Sequence, residues 1–178
     1  MVKALILQRQ HEHPQAIKII NEARQLDKAD RYMNNICVKY MLRGLHPEMA
    51  ENTMKSFMGT ESTPYDLQNM WYEIEMARCY LHRGENGPGL RHLNSIQTQF
   101  EDMYEDQYDF HSYSLFKWCL KEYTELIKYG DDIFNDRRYM QAASMAIKYL
   151  MEYAVSKDGL PAPKEYPNQP ANLDYRGI

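Results

Sequence analysis

His11 and His13, in "HEHP", stand two residues apart, a spacing that on a β-strand would present both imidazoles to one metal ion. No third ligand lies close by in the chain, and Pro14 suits the first turn of a helix, so the pair reads as turn histidines. "HRGENGPG", from His82 to Gly89, has the glycine content of a loop that cradles a pyrophosphate. Such a loop needs consecutive backbone N–H groups between a strand and a helix. Pro88 has no N–H and both flanks read as helix, so a turn between helices is expected instead. "EDMYEDQYD", from Glu101 to Asp109, is rich enough in carboxylates for general acid–base work. It reads as a solvated run at the entry to a helix, where the positive end of the dipole favours acids.

His46, His82, His92 and His111 have no partners at catalytic spacing. Cys37, Cys79 and Cys119 are three in number and far apart, which indicates neither a disulfide framework nor a CxxC site; they read as buried free thiols of a reducing compartment. One charged pattern is more pointed. If Asp30 starts a helix, Arg31, Asn35, Lys39 and Arg43 recur every four residues and share a face, while Met33, Cys37, Tyr40 and Met41 turn inward. Three cations on one stripe repel each other. A phosphate-bearing ligand or an acidic partner surface at Arg31, Lys39 and Arg43 would relieve that repulsion.

The elements that position these residues are helical and repeated. In a tetratricopeptide unit of about 34 residues, two antiparallel helices pack through small side chains at fixed places. Ala16 and Ala50 are 34 residues apart, and each is followed at +4 and +7 by seam residues: Ile20 and Ala23, then Met54 and Phe57. A third unit puts Gly89 in the small position with Leu93 and Ile96 after it, and Ala77, Tyr80 and Gly84 before it. Its extra residues are absorbed in "GTESTPYDLQ", rich in turn formers. A fourth unit centres on Ala143, with Ile147 and Leu150 in register, after a long helix from about Phe110 to Tyr129 and the loop "GDDIFND". The fold class is therefore all-α: antiparallel helix pairs stacked as a tetratricopeptide-like right-handed superhelix over residues 1–156. "KDGLPAPKEYPNQPANLDYRGI" has four prolines and no periodicity, and reads as a tail or linker over 157–178. The short first helix suggests a piece of a longer solenoid.

Bulk properties agree with that class. The 178 residues are 44% hydrophobic and 26% charged, with mean hydropathy −0.71, as expected of amphipathic helices in one soluble domain. No apolar run is long enough to span a bilayer. The net charge of −4 is uneven: residues 1–50 carry +3 and the remainder −7, so a polyanion would prefer the N-terminal third.

"LDKADRYMNNICVKYMLR", "NMWYEIEMARCYLHRG", "DQYDFHSYSLFKW" and "RRYMQAASMAIKYLMEY", in that order, resemble segments of the large auxiliary subunit of the N-terminal acetyltransferase A complex. The similarity runs from about Val2 to Tyr153. The resemblance implies a non-catalytic, cytoplasmic scaffold that wraps and activates a small catalytic acetyltransferase subunit and docks it at the ribosome. No catalytic residue carries over, and the acetyl-CoA belongs to the partner. Family complexes hold an inositol polyphosphate, such as inositol hexakisphosphate, on scaffold cations at the subunit junction, which makes Arg31, Lys39 and Arg43 candidate contacts. Neither a metal, a membrane span nor a direct nucleic-acid site is expected. A free-standing tetratricopeptide adaptor is the alternative: Asn34, Asn35 and Lys39 could mimic part of its carboxylate clamp, although the next repeat supplies Glu73 and Glu75 where cations would be needed.

Overall fold

The computed structural model describes residues 1–59, 62–106, 111–113, 116–117 and 120–155. The expected tail over 157–178, Trp118 and Cys119 lie outside the described residues. Within them the regular structure is helical. The elements are α1 (Val2–Arg9), α2 (His13–Leu26), α3 (Arg31–Arg43), α4 (Pro47–Met58), α5 (Met70–Arg83), α6 (Asn86–Glu105), α7 (Leu120–Asp131) and α8 (Arg137–Val155), with a 3-10 turn at Ile133–Asn135 before α8.

Consecutive helices from α1 to α4 pack on their neighbours, α5 pairs with α6, and α3 touches α5. This is the helix-pair solenoid expected of the repeats. The pairs are joined by three turns of one design. His11, Leu45 and Gly84 each take a left-handed conformation, with φ of 61°, 64° and 77°. In each turn the next residue's N–H reaches back five residues: Glu12 to Leu7, His46 to Met41 and Glu85 to Tyr80, all at 2.9 Å. Such a bond satisfies carbonyls orphaned at the helix end. Only the third turn places glycine where positive φ carries no side-chain penalty.

Local sequence explains the helix starts. The Asp30 carboxylate caps α3, accepting from the N–H groups of Tyr32 at 2.8 Å and Met33 at 3.2 Å. Pro14 and Pro47 occupy the first turns of α2 and α4, where a missing N–H is harmless. The small seam positions are sealed: Ala16 and Ala50 are fully buried. At Gly89 a β-carbon would lie 2.7 Å from Cγ of Leu81 and 3.3 Å from the Ala77 carbonyl oxygen. Absence of a side chain there sets how closely α6 approaches α5.

Two apolar clusters result. Ile17, Ile20, Val38, Met41 and Met54 belong to one; Leu93, Ile96, Phe100, Ile133 and Ala142 belong to the other. α5 serves both, sending Tyr72, Met76 and Cys79 to the first and Met70, Ile74 and Ala77 to the second.

The fourth unit departs from the expected register. Ala142 and Tyr149 are buried at 4% and 8% exposure, whereas Ile147 and Leu150 are 58% and 51% exposed. Among the described residues, α8 packs on α6, on α5 and on the 3-10 turn before it. Packing on a different neighbour turns the buried face by one residue, about 100° of helix rotation. The acidic run also differs from expectation. Glu101, Asp102 and Glu105 form the last turns of α6, at the negative end of the dipole. The periodic core residues Leu93, Ile96 and Phe100 carry the helix through them; Asp109 lies outside the described residues. "GDDIFND" is the connection expected, with the 3-10 turn inside it.

Replacing Gly89 with valine should cost about 2–3 kcal/mol, since neither the Leu81 side chain nor the Ala77 carbonyl can be avoided together. Urea denaturation followed by circular dichroism reads this directly, and wild-type stability in the variant would refute the close-approach account.

Candidate functional site

The cation stripe of α3 is real but divided. Arg31, at the first position of the helix, is exposed; Arg43, in its last turn, is exposed; Lys39 is half-buried. Twelve residues of helix set the backbones of the two arginines about 18 Å apart, so a ligand held by both must bridge what their long side chains do not reach. Lys39 is drawn to α5, its Nζ 4.7 Å from the centroid of the Trp71 ring, a cation–π contact. Asn35, between them, is half-buried.

Arg43 joins a second group of bases that sequence spacing did not reveal. The turns α1–α2, α3–α4 and α5–α6 lie along one edge and bring His13, Arg43, His46 and Arg83 into electrostatic reach of one another. Burial holds the His13 imidazole below its ordinary value, and the nearby His11 and Arg43 push the same way against Glu12. His46 is likewise lowered, first by burial, with Glu48 opposing and Arg83 and His13 adding to the fall. Arg83 is already neutralised: its Nη1 donates to both Glu48 oxygens at 2.8 and 3.0 Å, and its Nε lies 2.6 Å from Glu85. The recurrence of the turns, 34 residues from His11 to Leu45 and 39 from Leu45 to Gly84, is the signal that could have aligned these residues in advance.

A serine, a histidine and a carboxylate also meet between α5 and α6. Nδ1 of His92 donates to Oε2 of Glu73 at 2.6 Å, and Oγ of Ser95 sits 3.1 Å from the same oxygen and 2.9 Å from the His92 carbonyl. Tyr80 stacks on the His92 ring at 5.6 Å and 11°. The composition is that of a catalytic triad, but the geometry is not. A triad needs the hydroxyl on one imidazole nitrogen and the acid on the other. Here hydroxyl and imidazole share one carboxylate oxygen. The trio satisfies a Glu73 side chain that is only 7% exposed, as a buried carboxylate requires. A charged residue at a core position of α5, three residues after Met70 and four before Ala77, was the visible clue.

The remaining candidates are committed to packing. Cys37 and Cys79 are buried and free, and burial raises their thiols to about 11 and about 12, far from nucleophilic at neutral pH. His11 and His13 lie edge to face at a turn, 5.9 Å apart. No group of three ligating side chains fit for a metal occurs among the described residues, and none of their helices is long and apolar enough to cross a membrane. "HRGENGPG" is the α5–α6 turn. For the adaptor alternative, Asn34 is fully buried with its amide turned toward the Met54 sulfur at 4.0 Å, Glu73 faces α6, and Glu75 pairs with Arg78 at 3.0 Å. A peptide carboxylate could not reach Asn34.

Both lowered imidazoles make stability depend on pH with a definite sign. A histidine whose folded value lies below the unfolded one stabilises fully above about pH 6.5, and that contribution is lost as pH falls through the folded value. Urea midpoints should therefore drop on acidification from about pH 6.5 to 5, and a His13→Gln, His46→Gln double variant should drop less. An equal decline in both proteins would remove these two histidines from the account.

Comparison with known proteins converges on one group. The family model for "N-terminal acetyltransferase A, auxiliary subunit" matches residues 1–171. An Arabidopsis thaliana protein, "N-terminal acetyltransferase A complex auxiliary subunit NAA15", is 34% identical over 154 residues, covering 85% of this chain and 17% of that protein. The human "N-alpha-acetyltransferase 16, NatA auxiliary subunit" is 34% identical over 144 residues, 78% of this chain and 17% of its own length. A solved structure of Naa15/Naa10 bound to HypK-THB aligns with a TM-score of 0.78 at 32% identity, covering 89% of this chain and 25% of that one. The chain thus spans a minor part of the length of these relatives. With fold, segment order and matched residues in agreement, it belongs to the family of N-terminal acetyltransferase A auxiliary subunits.

Proposed function

We propose that this chain is part of a scaffold that binds a catalytic N-terminal acetyltransferase subunit, raises its activity and positions it for co-translational work at the ribosome in the cytoplasm. The reading is carried by one observation: the polar groups of chemical promise, Glu73, His92, Ser95 and the thiols Cys37 and Cys79, are consumed in holding helices together. Among the described residues, what remains exposed is a helical surface. The companionship of Naa15 with Naa10 in the solved relative supplies the class of partner. Acetyl-CoA would be held by that partner.

Co-expression with a Naa10-type subunit should yield a complex that survives gel filtration. It should acetylate peptides beginning with serine or alanine faster than the catalytic chain alone. Recovery of the two chains separately, with unchanged rates, would sink the proposal.

An inositol polyphosphate is proposed as the ligand of the α3 cations, Arg31, Lys39 and Arg43. Inositol hexakisphosphate at about 100 times its dissociation constant should add about 2.7 kcal/mol to stability, seen as a rise in Tm. Removing the charges by Arg31→Gln and Arg43→Gln should abolish most of that rise. An identical rise in the variant would assign the ligand elsewhere.

A further inference from the structure

We infer that Thr63 is a phosphorylation site for a proline-directed protein kinase. Thr63–Pro64 is the only Ser/Thr–Pro pair in the sequence, and it falls in the connection between α4, which ends at Met58, and α5, which begins at Met70. Position separates it from the other hydroxyls. Among the described residues every serine and threonine except Ser62 and Thr63 has helical backbone. A kinase draws its acceptor in as an extended segment, and a helical residue reaches that state only by breaking the bonds of its turn. Thr63 is exposed, whereas Ser62 is half-buried and is followed by Thr63 rather than proline.

What holds Thr63 is short-range. Its N–H and Oγ1 donate to Oδ2 of Asp66 at 2.8 and 2.7 Å, and the Asp66 N–H returns to Oγ1 at 3.2 Å, the reciprocal pattern of a capping box. This box opens a single turn, in which the N–H of Leu67 reaches the Thr63 carbonyl at 3.2 Å and that of Asn69 the Pro64 carbonyl at 2.9 Å. Tyr65 ties the turn to α6, its hydroxyl donating to Asp102 at 3.4 Å. Exposed bonds of this kind contribute little, because water replaces them. None of residues 63–67 belongs to either apolar cluster, so the segment can extend into a kinase cleft while the stack stays intact. Pro64 has no N–H to leave unpaired, which suits a cleft that offers no acceptor beside the reacting hydroxyl.

The step transfers the terminal phosphoryl group of ATP, the co-substrate of the kinase. The bond from the γ-phosphorus to the bridging oxygen breaks, a bond from that phosphorus to Oγ1 forms, ADP leaves, and the hydroxyl proton passes to the kinase's catalytic carboxylate. The product has a phosphate where a donor to Asp66 stood. The Thr63 hydroxyl, and then its N–H, hold the Asp66 carboxyl below its ordinary value. Phosphorylation removes the first of those bonds and sets like charge beside the carboxylate. The inference goes beyond the scaffold reading and does not rest on it.

The test incubates the full chain with ATP and a proline-directed kinase, first of the cyclin-dependent and then of the mitogen-activated class, and locates phosphate by mass spectrometry of the tryptic peptide from Ser56 to Arg78. Phosphate is expected on Thr63 and absent from that peptide in Thr63→Ala. Pro64→Ala should slow incorporation at least about tenfold, the proline being what such an enzyme selects. Asp66→Ala should speed it about twofold, because the hydroxyl is freed from its cap. Circular dichroism checks that the three variants are folded. No phosphate on Thr63 from either kinase, phosphate on Ser62 instead, or a rate untouched by Pro64→Ala would overturn the inference. So would slowing by Asp66→Ala, which would give the site to a kinase that reads acids rather than proline.

Discussion

α5 is the helix on which the stack depends, because it is buried on two faces at once. A surface helix hides one apolar stripe; α5 hides Tyr72, Met76 and Cys79 in one cluster and Met70, Ile74 and Ala77 in another. The two clusters become one cooperative body through it. The constraint extends to its polar residue. Glu73 sits between the apolar positions, and burying a carboxylate there without partners would cost several kcal/mol. His92 and Ser95 of α6 meet it, so the same contact that satisfies the charge fixes the register of α6 against α5. Gly89, one helical turn earlier on α6, sets the depth of that contact.

Commitment of polar side chains to packing has a functional consequence. A catalytic centre needs a nucleophile and a base with free lone pairs converging on open space. In this chain a serine, a histidine and a glutamate do converge, but on each other across a helix seam. The described thiols, Cys37 and Cys79, are equally withdrawn, held protonated by burial. Among the described residues, Glu73, His92, Ser95, Cys37 and Cys79 serve as fasteners between helices.

Electrostatics follows the repeat. The first three pairs of helices each close through a left-handed residue and a five-residue backbone return, so side chains at equivalent places in these turns are lined up along one edge. Evolution of charge at any one turn is therefore felt at the next: His13 responds to Arg43, and His46 to Arg83 and His13. The α3 stripe is organised along the perpendicular direction, and Trp71 of α5 takes hold of its middle cation. Arg43 lies where the two directions cross.

Much of this was legible in the residues. Helical periodicity, the 34-residue recurrence of Ala16 and Ala50, the small residue at Gly89, the Asp30 cap and the inward set of α3 are local or periodic properties, written in spacing and backbone preference. They determined the fold class, the first three helix pairs and the face on which Arg31, Lys39 and Arg43 stand. Spacing could not decide which helix packs on which. α8 chose α6, rotating its buried face from Ile147 and Leu150 to Ala142 and Tyr149. The core pattern of α6 ran on through Glu101–Glu105, overriding the dipole preference of acids. The Glu73–His92–Ser95 contact, the capture of Lys39 by Trp71 and the row of basic turns each join residues from separate helices. Only the relative placement of those helices, fixed by burial rather than by local preference, could bring them together.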